Sequence, residues 1–217
     1  NKMLLLAIDG ACRRNGKPNC VAAGGLIAIH YDDNMRVTNT CALSCYEVSS
    51  TNQRGEMLAL IDALHYASEY PNEETFVVTD SEYLFNALRN EWPQSWSKKG
   101  WLTASGDAVK NKDLWESVLS ALVGCRELSI THIMSFGKVT AQSLLLRDNS
   151  GFTLLKEIFK KYDAGLREEA IEVAQELSKK NNGGPLSPKV LRRFIVANIA
   201  ADAIATRCVE KADTLMS

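Results

Sequence analysis

The chain of 217 residues carries 25 Lys and Arg against 26 Asp and Glu, with 46% hydrophobic and 24% charged residues, a composition that fits a folded globular chain and excludes a disordered or fibrous one. The net charge of -1 gives the molecule as a whole no pull on a polyanion, so any contact with nucleic acid has to be local. The longest apolar stretches, Met3 to Ile8 and Val21 to Ile29, fall short of the roughly 18 to 20 residues that cross a bilayer, and no membrane-spanning helix is expected.

The opening run Met3-Leu4-Leu5-Leu6-Ala7-Ile8 leads straight into Asp9-Gly10 without the basic and small-residue flanks of a secretory signal, and reads as a buried strand over residues 3 to 9. Cys20 to His30 and Met35 to Tyr46 read as two further strands, with Asp32-Asp33-Asn34 as turn residues between them, which predicts an antiparallel meander. From Thr51 to Tyr70, Met57, Leu58, Leu60, Ile61, Leu64 and Ala67 recur at helical spacing, and Pro71 follows the end. Thr75 to Thr79 has the length and composition of a fourth strand, and Asp80-Ser81 suits the cap of a helix over Glu82 to Arg89. Trp92 to Trp101 reads as a connection, Lys112 to Val123 as a helix, and Glu127 to Met134 as a fifth strand. The order is βββαβααβ.

Beyond Val139 the character changes. Helical periodicity runs through Phe152 to Tyr162 and Leu166 to Leu177, then breaks at Lys179-Lys180-Asn181-Asn182-Gly183-Gly184-Pro185. Ser187-Pro188 supplies a cap and first-turn proline for a last helix, about Pro188 to Val209. Cys12, Cys20, Cys41, Cys45, Cys125 and Cys208 show neither a CxxC pair nor zinc-ligand spacing, so free thiols and a cytoplasmic location are expected.

Three carboxylates fall where an α/β sheet builds sites: Asp9 at the end of the first strand, Glu56 in the first helix and Asp80 at the end of the fourth strand. Taken singly, each has a plainer reading, as a turn residue, a solvated helix position and an N-cap. Context changes that. The sequence reads Asp9-Gly10-Ala11-Cys12-Arg13-Arg14-Asn15-Gly16, then Ala23-Gly24-Gly25, Thr51-Asn52-Gln53-Arg54-Gly55-Glu56 and Thr79-Asp80-Ser81-Glu82-Tyr83. It continues with Trp96-Ser97-Lys98-Lys99-Gly100-Trp101 and Val109-Lys110-Asn111-Lys112-Asp113-Leu114-Trp115. In order and approximate spacing these segments resemble type I ribonuclease H, over residues 3 to 135.

The resemblance implies an α/β fold, a ribonuclease H-like five-stranded mixed sheet with flanking helices. It also implies an endonuclease that hydrolyses the RNA strand of RNA/DNA hybrids with Mg²⁺, or Mn²⁺ in its place, leaving 3′-hydroxyl and 5′-phosphate ends. Asp9, Glu56 and Asp80 match three of the family's four metal-binding acids, and Asp202, within Asn198-Ile199-Ala200-Ala201-Asp202-Ala203-Ile204-Ala205, matches the fourth. By the same likeness Cys12, Asn15, Asn52 and Gln53 face the minor groove near the RNA strand, and Thr51, Arg54 and Asn111 hold a phosphate of the DNA strand. Of the four tryptophans, most are expected in the core; Trp92 is the candidate for a groove contact, with Lys98 and Lys99 as a short basic handle.

Three departures stand out. Ile199 replaces a family Glu that is not one of the four acids. Ser135-Phe136 occupies the place of the family's Gly-His pair, whose His assists turnover, and His132 lies too early to stand in for it. Residues 139–197 replace a short loop with a helical insertion of 59 residues holding ten Lys and Arg against seven Asp and Glu. The expected organisation is a ribonuclease H core over residues 1–138, the insertion at 139–197 and a C-terminal helix at 198–217 that completes the site. The insertion reads either as a cap contacting a protein or nucleic acid, or as a solvated helical decoration. A monomer is expected. The alternative to the nuclease is a catalytically weak module, binding hybrids or a partner, that retains the fold.

Overall fold

The computed structural model describes residues 2–125, 128–132, 151–158, 160 and 188–216. The first three strands, β1 (Met3–Arg13), β2 (Val21–Tyr31) and β3 (Val37–Val48), form the predicted meander. Helix α1 (Asn52–Ser68) and strand β4 (Glu74–Thr79) follow, then helices α2 (Glu82–Arg89), α3 (Trp92–Lys98) and α4 (Lys112–Val123) and strand β5 (Leu128–His132). Residues 152–158 form α5, and Pro188–Met216 form α6. The sheet runs β3-β2-β1-β4-β5, antiparallel across the first three strands and parallel where β1 meets β4 and β4 meets β5. This is the expected five-stranded mixed sheet.

β1 and β2 read as unbroken apolar runs because helices cover both faces of the sheet at its centre. Leu4, Leu6, Ile8, Leu26 and Ala28 pack with Met57, Leu60 and Leu64 of α1 and with Trp115 and Val118 of α4. Met3, Leu5, Ala7, Ile27 and Ile29 point the other way, against Leu191, Phe194, Ile195 and Ala201 of α6. His30, in β2, is nearly buried and tied to Glu73 Oε2 at 2.8 Å and Tyr66 Oη at 2.7 Å. It therefore braces β2 against α1 and the β4 approach.

Three elements differ from the sequence reading. β1 runs to Arg13, past the expected end at residue 9, because its far half pairs with β2 alone, so Asp9 lies within the strand and not at its end. Trp92–Lys98 is helical where a connection was expected: seven residues give too few turns to show a period, and its start follows Glu91 in the left-handed region (φ 53°). Helix α6 runs to Met216, past the expected end at Val209. Val209 and Ala212 pack on Val21 and Ala23, and Arg14 Nη2 donates to Asp213 Oδ1 at 2.6 Å, which binds the last turns to the β1–β2 hairpin.

The expected boundary at 197/198 falls inside α6, with no break in the helix there. Of residues 139–197, Leu154, Leu155 and Ile158 of α5 and Leu191, Phe194 and Ile195 of α6 belong to the same buried cluster as Leu5 and Ile27. These described parts are core, not solvated decoration. The helix expected over Leu166 to Leu177, the break after it and Ser135 and Phe136 lie outside the described residues. Among the described residues no helix is long and apolar enough to cross a membrane.

The helices reach the sheet closely at positions where side chains are missing. A Cβ on Gly25 would stand 2.5 Å from the Ala201 carbonyl oxygen and 2.6 Å from the Ala205 nitrogen of α6. On the opposite face, a Cβ on Gly24 would strike the Gly55 carbonyl of α1, and one on Gly55 would stand 2.5 Å from the Ala23 carbonyl. Gly25→Ala is therefore expected to push α6 outward and lower unfolding stability by about 1–3 kcal/mol, the usual range for overpacking. Phe194→Ala is expected to cost about 3–5 kcal/mol if α6 is core as described. Denaturant titration of both variants against the parent checks each value.

Candidate active site

The parallel pairing of β1 with β4 ends at Ala7 opposite Val78, while β1 continues to Arg13 against β2. Asp9 thus sits just beyond the β4 ladder, opposite Gly25, on the face covered by α6. Asp80 follows Thr79 at the β4 terminus. It is not the cap of α2; Ser81 is, accepting from the Leu84 N–H at 3.2 Å. Glu56 rises from α1 over Gly10, where a Cβ would stand 2.5 Å from its Cγ, so the glycine makes room for that side chain. One carboxylate oxygen from each of Asp9, Glu56 and Asp80 lies within 4.8 Å of the others. Asp202, one residue after the Ala201 carbonyl that abuts Gly25, brings its carboxyl into hydrogen-bonding contact with Asp9.

A cleft of about 530 Å³ opens over these acids, lined by Asp9, Glu56, Asp80 and Asp202 and by Cys12, Asn15 and Asn52. The Asn52 N–H reaches Asn15 Oδ1 at 3.5 Å, which links the β1–β2 turn to the start of α1. Arg13, Thr206 and Glu210 line the same cleft and were not singled out from the sequence. The steps of four from Asp202 to Thr206 and Glu210 place all three on one stripe of α6, a signal that was present in the sequence. Arg13 lies 3.8 Å from Glu210 and 3.9 Å from Asp213, at the edge of ion-pair range.

The remaining predicted residues group apart from the acids. Thr51 caps α1, its Oγ1 accepting from the Arg54 N–H at 3.2 Å. Asn111 Nδ2 donates to Gln53 Oε1 at 3.0 Å. Arg54 lies between Glu47 of β3 and Asp113 of α4, donating to Glu47 Oε1 at 2.7 Å and Asp113 Oδ2 at 2.8 Å, and holds both carboxyls below the usual carboxylate range. Glu47 and Asp113 were not foreseen as its partners. Trp92 is exposed on α3 and inclined to Trp96, which meets the buried Trp115; Trp115 Nε1 donates to Tyr83 Oη at 3.1 Å. Lys98 and Lys99 are exposed at the end of the same helix.

Four acids in one place repel one another. Burial, and then the charges of Asp80 and Asp202, push Asp9 up to about 10; the Gly10 N–H, donating to its Oδ1 at 2.9 Å, opposes this. Burial and the charge of Asp80 push Glu56 up to about 7, partly offset by the Ser81 hydroxyl. Because the folded state holds these protons more tightly than the unfolded chain, their stabilising effect is complete below the free values of 3.8 and 4.5. It is lost progressively as pH rises toward about 7 for Glu56 and about 10 for Asp9. The same surplus of oxygen ligands and negative charge suits a hard divalent cation.

The family profile for RNase H matches residues 1–139. A curated Ribonuclease H of Clostridium botulinum is 32% identical over 142 residues, covering 65% of this chain and 85% of that protein. A Ribonuclease H of Thermus thermophilus is 38% identical over 121 residues, covering 56% of this chain and 66% of its own length. Among solved structures, a type 1 RNase H described as carrying the type 2 active-site motif superposes with a TM-score of 0.53 at 20% identity, over 65% of this chain and 67% of that one. The fold is therefore a ribonuclease H fold with acids gathered where the β1–β4 ladder ends. This chain belongs to the RNase H family.

Asp80→Asn removes a charge that both Asp9 and Glu56 feel. In metal-free buffer the variant is expected to melt above the parent, with a larger gap at pH 8 than at pH 5. Mg²⁺ should raise the parent's midpoint at pH 8 more than the variant's. Calorimetric scans with EDTA or Mg²⁺ at both pH values test this; a lower midpoint for the variant at pH 8 would contradict the repulsion.

Proposed function

We propose that this protein is an endonuclease that hydrolyses the RNA strand of RNA/DNA hybrids, leaving 3′-hydroxyl and 5′-phosphate ends. The observation that carries this reading is the convergence of Asp9, Glu56 and Asp80 within 4.8 Å, with Asp202 against Asp9, at the base of an open cleft. The family's curated members named Ribonuclease H support the reaction class.

The donor set fits Mg²⁺, or Mn²⁺ in its place: all-oxygen, acidic and too repulsive to stay fully ionised without a counter-charge. Asp9, Glu56, Asp80 and Asp202 are the residues that would hold it. When bound, a pair of such ions supplies Lewis acidity for activating water and for stabilising charge at the phosphate and the leaving oxygen. The chain's own part is positional. β1, α1 and α6 each contribute one acid from a regular element, and Asp80 directly follows β4, so the cluster does not depend on a long loop for its geometry.

Substrate choice falls to the polar rim. Cys12, Asn15 and Asn52 line the cleft beside the acids, with Gln53 one residue on, and in this reading they sense 2′-hydroxyls of the RNA strand. Thr51, Arg54 and Asn111 are assigned to a DNA-strand phosphate, a contact that sets the position of the duplex and not its sequence. Trp92 offers an exposed ring from α3 to the groove. In this reading the ribonuclease H core of residues 1–138 is completed by α6, which supplies Asp202.

The test is cleavage of an end-labelled hybrid by the purified protein with Mg²⁺, Mn²⁺ or EDTA, alongside single-stranded and all-DNA controls. Metal-dependent cutting of the RNA strand alone is expected, with Asp80→Asn reducing the rate by at least 10³-fold, on the order of the effect of removing a central catalytic group. Asp202→Asn is expected to reduce it as well. Hybrid binding without cutting would replace this reading with a binding module that has kept the fold.

A further inference from the structure

Beyond Ala7, where the β4 ladder stops, β1 continues to Arg13 with one edge free of β4, and this stretch lines the acid cleft. Side chains alternate along it. Cys12 goes with Asn52 on the α1 side, whereas Asp9 and Arg13 go with Asp202 and Glu210 on the α6 side. Strand and helix run side by side along this second rim: the Asp202 carboxyl meets Asp9 at one end, and Glu210 comes within 3.8 Å of Arg13 at the other. Four strand residues span about 13 Å. Eight helical residues span about 12 Å. The matched lengths make one continuous wall, with the acids at one end and Arg13 at the other.

Among the described residues, Arg13 is the only cation that lines the cleft. Its side chain is 49% exposed, and its contacts, 3.8 Å to Glu210 and 3.9 Å to Asp213, are too long for hydrogen bonds. Asp213 is already committed to Arg14, whose Nη2 donates to it at 2.6 Å while Nε donates to the Asn19 carbonyl at 3.2 Å. Of two adjacent arginines, Arg14 braces the β1–β2 hairpin against α6, and Arg13 keeps its N–H fork open. Such a fork suits the paired oxygens of a phosphate. Without it the rim would present only acids, Asp9, Asp202 and Glu210, to a polyanion laid along it.

We infer that Arg13 binds a phosphate of the strand being cut, two or three phosphates along from the one that the acids address. This rests on the nuclease reading above and deepens it. Asp9 and Arg13 share one face of β1, so the strand that meets the acids is the strand that continues to Arg13. Successive phosphates of one strand advance roughly 3.4 Å along the duplex axis, and farther along the backbone itself, which sets the count over a wall of this length. The contact positions the strand and reads no base.

The experiment is steady-state cleavage in Mg²⁺ of a duplex whose cut strand carries a short ribonucleotide block flanked by DNA, which fixes where the acids act. Arg13→Gln is expected to raise KM about three- to tenfold with kcat within about twofold, the pattern of a contact made equally in ground and transition states. Arg13→Lys keeps the charge but not the fork, and should recover part of the loss. Neutral methylphosphonate linkages, moved one position at a time along the cut strand, should raise the parent's KM most at a single position two or three linkages from the cut. At that position the neutral linkage should cost Arg13→Gln nothing further, a coupling that a merely misfolded variant would not show. Lys211→Gln removes an equal charge from α6 outside the acid cleft and should leave the parent's pattern intact.

The inference is overturned if Arg13→Gln keeps the parent's KM, if its loss falls on kcat alone, or if Arg13→Lys recovers nothing. It is equally overturned if the sensitive linkage persists in Arg13→Gln or disappears in Lys211→Gln. A parent that leaves hybrids uncut defeats the nuclease reading and this inference with it. A parent that cuts while Arg13→Gln matches it defeats this inference alone.

Discussion

The site depends on how near two helices can come to one pair of strands. Packed layers normally stand apart by the length of their side chains, but here the backbones of α1 and α6 press on β2 from opposite faces at Gly24 and Gly25. That contact carries Glu56, next to Gly55, and Asp202, next to Ala201, down to the level of Asp9, which pairs with Gly25. Side chains as short as aspartate then reach one another. Steric absence at a few positions thus does what longer side chains on loops would do less rigidly.

The second constraint opposes the first. Packing that brings the acids together also removes the water that would screen them, and Asp9 and Glu56 respond by holding protons well above their ordinary range. The fold tolerates this because the rest of the sheet is strongly buried: Leu4, Leu5, Leu6, Ile8, Leu26 and Ile27 are almost entirely enclosed by helices on both sides. A local electrostatic cost is carried by an apolar core that does not itself titrate. Functional sites commonly trade stability for chemistry in this way.

Much of this was legible in the sequence because the signals were periodic or punctuated. Apolar runs and turn residues marked the β1–β3 meander, and the spacing from Met57 to Ala67 marked α1. Asp9, Glu56 and Asp80 were legible through their surrounding motifs, and Asp202 through the small residues around it, although it lies beyond the part matched to the family. What could not be read is what depends on distance across the chain. The pairing of Arg54 with Glu47 and Asp113 joins residues 47, 54 and 113, and no local pattern announces it. The short helix α3 was hidden by its length, and the extension of α6 from Val209 to Met216 rests on contacts with the distant β1–β2 hairpin that no local pattern announces.

The fourth acid arrives on a helix of 29 residues, about 43 Å long, seated in the core through Phe194 and Ile195 and tied at its far end by Arg14 and Asp213. Among the described residues, these contacts set its position. Fifty-five residues, 133–187, separate β5 from α6, and the entropy of closing such a connection grows only with the logarithm of its length, roughly 0.6 kcal/mol for each doubling. Connection length at this point is therefore nearly neutral thermodynamically. That gives the chain a place to lengthen, with α5 as an intermediate anchor on the core, while the helix that bears Asp202 stays where the acids need it.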